Sequence, residues 1–136
     1  MTERELKHCL LFEAEEIQRC RERIEHLRVG ATGQRLQGGV SNKSTAGGDH
    51  VAWAVCEIDR FQAIMQSHVD RIEGFMLHLD TPAQHRIIRL RYIEAFTAWR
   101  SVADAIGYSE KHVQKLHKQA LILIADKVSN VLRGIA

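Results

Sequence analysis

Apolar residues recur every three or four positions through the first 80 residues, which is the spacing of one face of an α-helix. Between Thr2 and Arg28 the repeat has one break, at Glu13 and Ala14. Its members are Leu6, Leu10, Ile17, Cys20, Ile24 and Leu27. A narrow seam of this kind predicts a long helix that packs along another helix. Gly30 is predicted to end this helix.

A second long helix is predicted from about Asp49, which is suited to cap it, to Leu79. Its apolar positions recur every seven residues, with further apolar positions between them. They are Val51, Ile58, Met65, Ile72 and Leu79, and then Val55, Phe61, Val69 and Phe75. This seam is wider than the first, which indicates more than one packing partner. The intervening residues 30–48 are rich in Gly, Ser and Thr and predict a flexible linker.

Two long amphipathic helices on either side of a flexible linker predict an antiparallel, coiled-coil-like hairpin. The two seams could also pair between chains, giving a dimeric four-helix bundle, and the pattern leaves both arrangements open. The apolar segment 121–132 adds surface that one thin hairpin cannot bury. We therefore expect a homo-oligomer, a dimer or higher, formed through residues 1–80.

Residues 81–136 are predicted to form a second, basic domain. They hold nine Lys and Arg against four Asp and Glu, whereas residues 1–80 hold ten against thirteen. Thr81 is suited to an N-cap and Pro82 to the first helical position. The helix that follows is predicted to bury four apolar side chains and expose three arginines. These are Ile87, Ile88, Leu90 and Ile93, and Arg86, Arg89 and Arg91. A basic surplus of this kind favours a polyanionic partner.

The segment WRSVADAIGYSEKHVQKLHK, residues 99–118, has the residue types of a helix-turn-helix. Ala103 is small where two helices would cross, and Gly107 supplies the positive φ of the turn. Ser109 is suited to cap the second helix. Apolar residues flank the crossing and anchor the second helix inward. They are Val102, Ile106, Tyr108, Val113 and Leu116. The whole chain is therefore predicted to be all-α.

The outward face of that second helix is the candidate DNA-binding site. Turning Val113 and Leu116 inward leaves a stripe at i, i+3, i+4 and i+7, namely Lys111, Gln114, Lys115 and Lys118. Ser109 and Glu110 stand at its leading end, and Arg100 on the preceding helix is a further candidate. Lysines neutralise phosphates, and the Gln114 amide suits a base edge in the major groove. Double-stranded DNA is the expected partner.

The segment RIIRLRYIEAFTAWRSVADAIGYSEKHVQKLHKQAL, residues 86–121, resembles the fourth conserved region of sigma-70-type factors. The resemblance is carried by an RLRY helix, a short loop ending in Trp99, the run VADAIGYS, and the apolar positions of the last helix. The organisation of the whole chain resembles phage regulators of the RinA/ArpU type. Arg100 and Ser101 stand where such proteins often have acidic residues. The resemblance implies a phage or prophage transcriptional regulator, of late-gene activator type, with RNA polymerase as a further partner.

An alternative is a small DNA-binding subunit of a phage packaging (terminase) machine, which also combines a helix-turn-helix with a helical oligomerisation region. An enzyme is not expected, because no nucleophile and base stand in a recognisable constellation. No cofactor or metal is expected either, since no Cys or His pair has metal-ligand spacing. No apolar run is long enough to span a membrane and no signal peptide begins the chain, so we expect the host-cell cytoplasm.

Overall fold

The computed structural model describes the backbone of residues 1–38 and 44–134, and the side chains of residues 1–30 and 49–134. Five α-helices follow one another. They are α1 (Glu3–Gly38), α2 (Ser44–Met76), α3 (Pro82–Ile88), α4 (Trp99–Ile106) and α5 (Glu110–Leu132). A π-helical turn, Arg89–Ile93, continues α3. No residue in the described ranges lies in a strand, which confirms the all-α prediction.

Both long helices extend beyond their predicted ends. Helix α1 passes through Gly30 and ends at Gly38, and α2 begins at Ser44, so Asp49 lies inside it and does not cap it. Gly30 does not take the positive φ of a helix end, and one glycine inside a helix costs only about 1 kcal/mol. The predicted linker is therefore helical at 30–38 and 44–48. Its residues 39–43 lie outside the described residues.

The chain divides into two compact units. The first contains Met1–Glu15 and His68–Ala136, and the second contains Glu16–Ser67. Helices α1 and α2 each contribute residues to both units. The predicted domain boundary between residues 80 and 81 stays a prediction.

The first predicted seam is confirmed, because all six of its side chains are at most 6% exposed. The second seam was wrong at Val55, which is 52% exposed, while Ala54 beside it is buried. A helix turns once in about 3.6 residues, so the buried row passes through Ala54 on the way to Ile72 and Met76. The break in the first seam is filled by the buried side chain of Glu13.

Glu13 has polar partners within the first unit. The Nδ1 of His68 lies 2.5 Å from one carboxylate oxygen of Glu13, and the guanidinium of Arg71 lies 3.4 Å from the other. The buried carboxylate therefore carries two partners from α2, which offsets the loss of its hydration. This is how a charged residue occupies an otherwise apolar seam.

The rest of the first unit is built by α3, α4 and α5, each of which contacts the other two. Helix α3 begins as predicted, because the Thr81 hydroxyl accepts from the Gln84 amide and Pro82 holds the first position. Arg89 and Arg91 were wrongly predicted to be exposed and are half-buried. Arg89 pairs with Glu73 at 3.3 Å, and the Arg91 guanidinium lies over the ring of Trp99.

Candidate nucleic-acid interface

The turn between α4 and α5 is fixed by its backbone. Gly107 closes α4 in the left-handed conformation, at φ 86°. The amides of Gly107 and Tyr108 both donate to the Ala103 carbonyl, at 2.8 and 3.2 Å. The Ser109 hydroxyl then accepts from the His112 amide at 3.2 Å, which caps α5. Each residue predicted to shape this turn therefore has the predicted backbone role.

Close packing holds α4 and α5 against α3. Ile87, Val102, Ala103 and Val113 form one buried cluster, with Ile106 and Leu116 half-buried at its margin. Ala103 is 3% exposed, so a larger side chain would push against neighbouring atoms. Tyr108 departs from the prediction, because its ring is 44% exposed and rests edge-on against His112.

All seven predicted DNA-binding residues are exposed. They are Arg100, Ser109, Glu110, Lys111, Gln114, Lys115 and Lys118. The last six belong to the cap and the first turns of α5, whereas Arg100 stands on α4. At about 100° per residue, the three lysines fall within roughly 60° of the circumference of α5, and Gln114 lies at the edge of that face.

The charges on this face are uncompensated. Lys111, Lys115 and Lys118 make no ion pair with any residue in the described ranges, and neither does Arg100. Arg19 and Arg60 in the second unit are each paired with a glutamate three positions away on the same helix. Glu110 is the one acidic residue among the seven and makes no ion pair with these basic side chains, so the lysine row stays available to bind an external anion.

His117 on α5 and Tyr92 on the π-helical turn form a buried pair that was not predicted from the sequence. His117 is 6% exposed, and its Nε2 lies 2.7 Å from the hydroxyl of Tyr92 on the π-helical turn. Burial, together with the smaller effects of the Arg91 and Lys7 charges in the same direction, lowers the pKa of His117 from 6.5 to about 4. Burial likewise raises the pKa of Tyr92 to about 12, against a smaller opposing effect of Arg91. The imidazole is therefore neutral, and its tautomer determines whether Nε2 accepts from the Tyr92 hydroxyl or donates to it.

Two half-buried side chains, Trp99 and Arg91, pack beside this buried pair. The Trp99 ring packs edge-on against His117, with centroids 4.8 Å apart. The Arg91 guanidinium lies 4.0 Å from the Trp99 ring centroid and donates to the Thr97 carbonyl. The start of α4, the π-helical turn and α5 are thus joined directly beneath the lysine face. Periodicity could have indicated an inward His117, because it lies four residues after Val113 and three before Ala120.

No group of three or more His, Cys, Asp or Glu side chains within residues 1–30 and 49–134 could hold a metal ion. In the part of the chain that the structure describes, no helix has the length and apolar character needed to cross a membrane. Comparisons with protein-family models, curated proteins and solved structures found no match to this chain.

Proposed function

We propose that this chain binds double-stranded DNA through a helix-turn-helix made of α4 and α5, with α5 as the recognition helix. The observation that carries the proposal is the row of unpaired lysines, Lys111, Lys115 and Lys118, on the first turns of α5. DNA carries a continuous row of phosphates, and each lysine that neutralises one releases condensed counterions. No described acidic side chain competes for these three lysines.

The arrangement of α5 supports insertion of its first turns into the major groove. Helix-turn-helix proteins contact base edges with the N-terminal residues of the second helix. Gln114 is exposed there, and its amide both donates and accepts, as an adenine edge requires. Lys118 lies one turn farther along, where a helix leaving the groove passes the phosphate backbone.

The buried pair beneath the face supports the same proposal. A recognition helix must hold its orientation, because base contacts depend on angles and distances. The Tyr92–His117 hydrogen bond and the Trp99–His117 contact tie α5 to two other elements. Regulation of transcription in a phage or prophage setting, within the host cell, is the role we propose for this binding. The hairpin of α1 and α2 ahead of the helix-turn-helix is part of that proposal.

Salt-dependent DNA binding tests the proposal. The wild-type chain is titrated with a duplex pool of random sequence and with duplexes selected from it, at several salt concentrations. A variant with Lys111→Glu, Lys115→Glu and Lys118→Glu should lose binding to both and lose the salt dependence.

The matched control carries Arg4→Glu, Arg21→Glu and Arg28→Glu on α1, which changes the net charge equally. It should keep sequence-selective binding. If both variants lose affinity to the same extent, net charge and not the α5 face explains binding. If wild-type protein binds no duplex at low salt, the proposed function is wrong.

A further inference from the structure

The second unit, Glu16–Ser67, carries a groove between α1 and α2. Its floor is apolar, made of Cys20 from α1 and of Phe61 and Ile64 from α2. Its rim on α1 is charged, with Glu16, Arg19, Glu22 and Arg23 among its side chains. We call this feature the unit 2 groove.

Helix α2 has more apolar surface in this unit than α1 covers. The described apolar side chains of the α1 seam here are all buried, whereas on α2 only Ala54 is buried. The larger α2 side chains are half-buried or exposed. Val51, Ile58, Phe61 and Met65 are half-buried, and Trp53 and Ile64 are exposed. When two helices pack side by side, each buries one stripe of side chains against the other. The apolar surface of α2 is wider than one stripe, so part of it stays exposed at the groove.

We propose that a second copy of this chain covers the unit 2 groove, forming a symmetric dimer. The rim selects this occupant, because its charges are mixed in sign and nearly balanced. Two acidic and two basic side chains alternate on α1, and Glu16 and Arg19 already pair at 2.8 Å. A rim of one sign would select a partner of the opposite sign. A mixed rim is complementary to itself when two copies meet about a two-fold axis.

The floor of the groove is suited to the same partner. The Phe61 ring lies beneath two guanidinium groups, with Arg60 at 5.0 Å and Arg23 at 5.9 Å from its centroid. An arginine stacked on an aromatic ring can keep that contact while its N–H groups reach a carboxylate across an interface. The groove therefore offers an apolar centre with a charged rim, the usual anatomy of a protein interface. This inference is independent of the proposed DNA binding.

Sedimentation velocity of the full chain across the micromolar range tests the apolar floor. Ile64→Asp places a charge in the floor at a position that is already 38% exposed, so the fold should persist by circular dichroism. Its self-association should be weaker than wild type by about tenfold or more. The matched control is Val55→Asp, also an exposed apolar residue of α2 but outside the groove lining, which should associate as wild type does.

A charge exchange tests the rim. One variant carries Glu16→Arg and Glu22→Arg, and the other carries Arg19→Glu and Arg23→Glu. Each rim then has one sign, so each variant alone should be monomeric, whereas an equal mixture should form a 1:1 heterodimer. The inference is overturned if wild type is monomeric, if Ile64→Asp and Val55→Asp associate equally, or if the mixture of folded variants stays monomeric.

Discussion

Helix α5 and the rim of the unit 2 groove both expose charged side chains, but they arrange charge in opposite ways. The α5 face presents three lysines with no acidic partner among the described residues. The α1 rim alternates sign, and its Glu16 and Arg19 form an ion pair within one helix. A surface of one sign needs an external counter-charge, whereas a mixed surface can satisfy itself or a copy of itself. Charge arrangement, more than net charge, distinguishes the two proposed partners.

The two units also differ in how completely each buries an isoleucine side chain. In the first unit Ile87 is fully buried at the meeting of α3, α4 and α5. In the second unit Ile64 remains 38% exposed at the groove. The isoleucine at the centre of the first unit is therefore fully packed within the chain, whereas the isoleucine at the groove of the second unit is only partly packed.

The largest expected effect comes from removing the same side chain in both interiors. Ile87→Ala leaves a cavity in a fully packed cluster and should lower the free energy of unfolding by about 2–5 kcal/mol. Ile64→Ala removes a partly exposed side chain and should lower it by less than about 1 kcal/mol, measured below the concentration at which the chain associates. Urea unfolding followed by circular dichroism gives both values. Equal losses would show that Ile64 is packed as tightly as Ile87 and would abolish the contrast.

The free energy of unfolding should depend on pH through His117, a residue of the first unit. Burial lowers the pKa of His117 to about 4 from 6.5, so between these values the unfolded chain binds a proton that the folded chain does not. The stability from neutral His117 is therefore complete above pH 6.5 and is lost as the pH falls. Between pH 7 and pH 5 this should reduce the free energy of unfolding by about 2 kcal/mol.

Urea unfolding of His117→Gln at the two pH values should show a correspondingly smaller loss between them. His8→Gln is the matched control, because His8 is an exposed residue of α1 outside the unit 2 groove, so its replacement should leave the wild-type loss unchanged. A His117→Gln protein with the full wild-type loss would assign the acid sensitivity to other groups.

Local sequence was enough to predict that the helices form and how the turn between α4 and α5 is built, because these depend on neighbouring residues, but it did not predict where α1 ends or where α2 begins. Thr81, Gly107 and Ser109 act on backbone groups within four residues of themselves. Burial was predicted wrongly where it depends on a residue far away in the sequence or on which of two neighbouring positions faces inward. Glu13 is buried because His68, 55 positions later, accompanies it. His117 faces Tyr92, 25 positions earlier. Among the residues between the seven-residue positions, Val55 was chosen and Ala54 was missed, although Ala54 lies three residues after Val51 and four before Ile58 and so belongs to the same helix face.

Two single substitutions on α5 should distinguish a base contact from a phosphate contact. Gln114→Ala removes the candidate base contact and should weaken the selected duplex by about 1–3 kcal/mol while sparing a scrambled one. Lys118→Ala removes a phosphate contact, so it should weaken both duplexes alike and reduce the salt slope by about one unit. Salt titrations of both variants on both duplexes give these values. The reverse pattern would show that α5 enters the groove in another orientation.

The smallest expected effect compares two glycines, one from each unit. Gly107 has φ 86°, a conformation that alanine adopts only with strain, so Gly107→Ala should destabilise the chain by about 1–2 kcal/mol. Gly30 lies inside α1, and a methyl group added there would meet no described atom within 4 Å outside the backbone of its own helix. Alanine is the better helix former, so Gly30→Ala should stabilise the chain by up to about 1 kcal/mol. Thermal unfolding by circular dichroism should show changes of opposite sign. If Gly30→Ala also destabilises the chain, α1 does not continue as a regular helix through residue 30, and the predicted end at Gly30 regains its place.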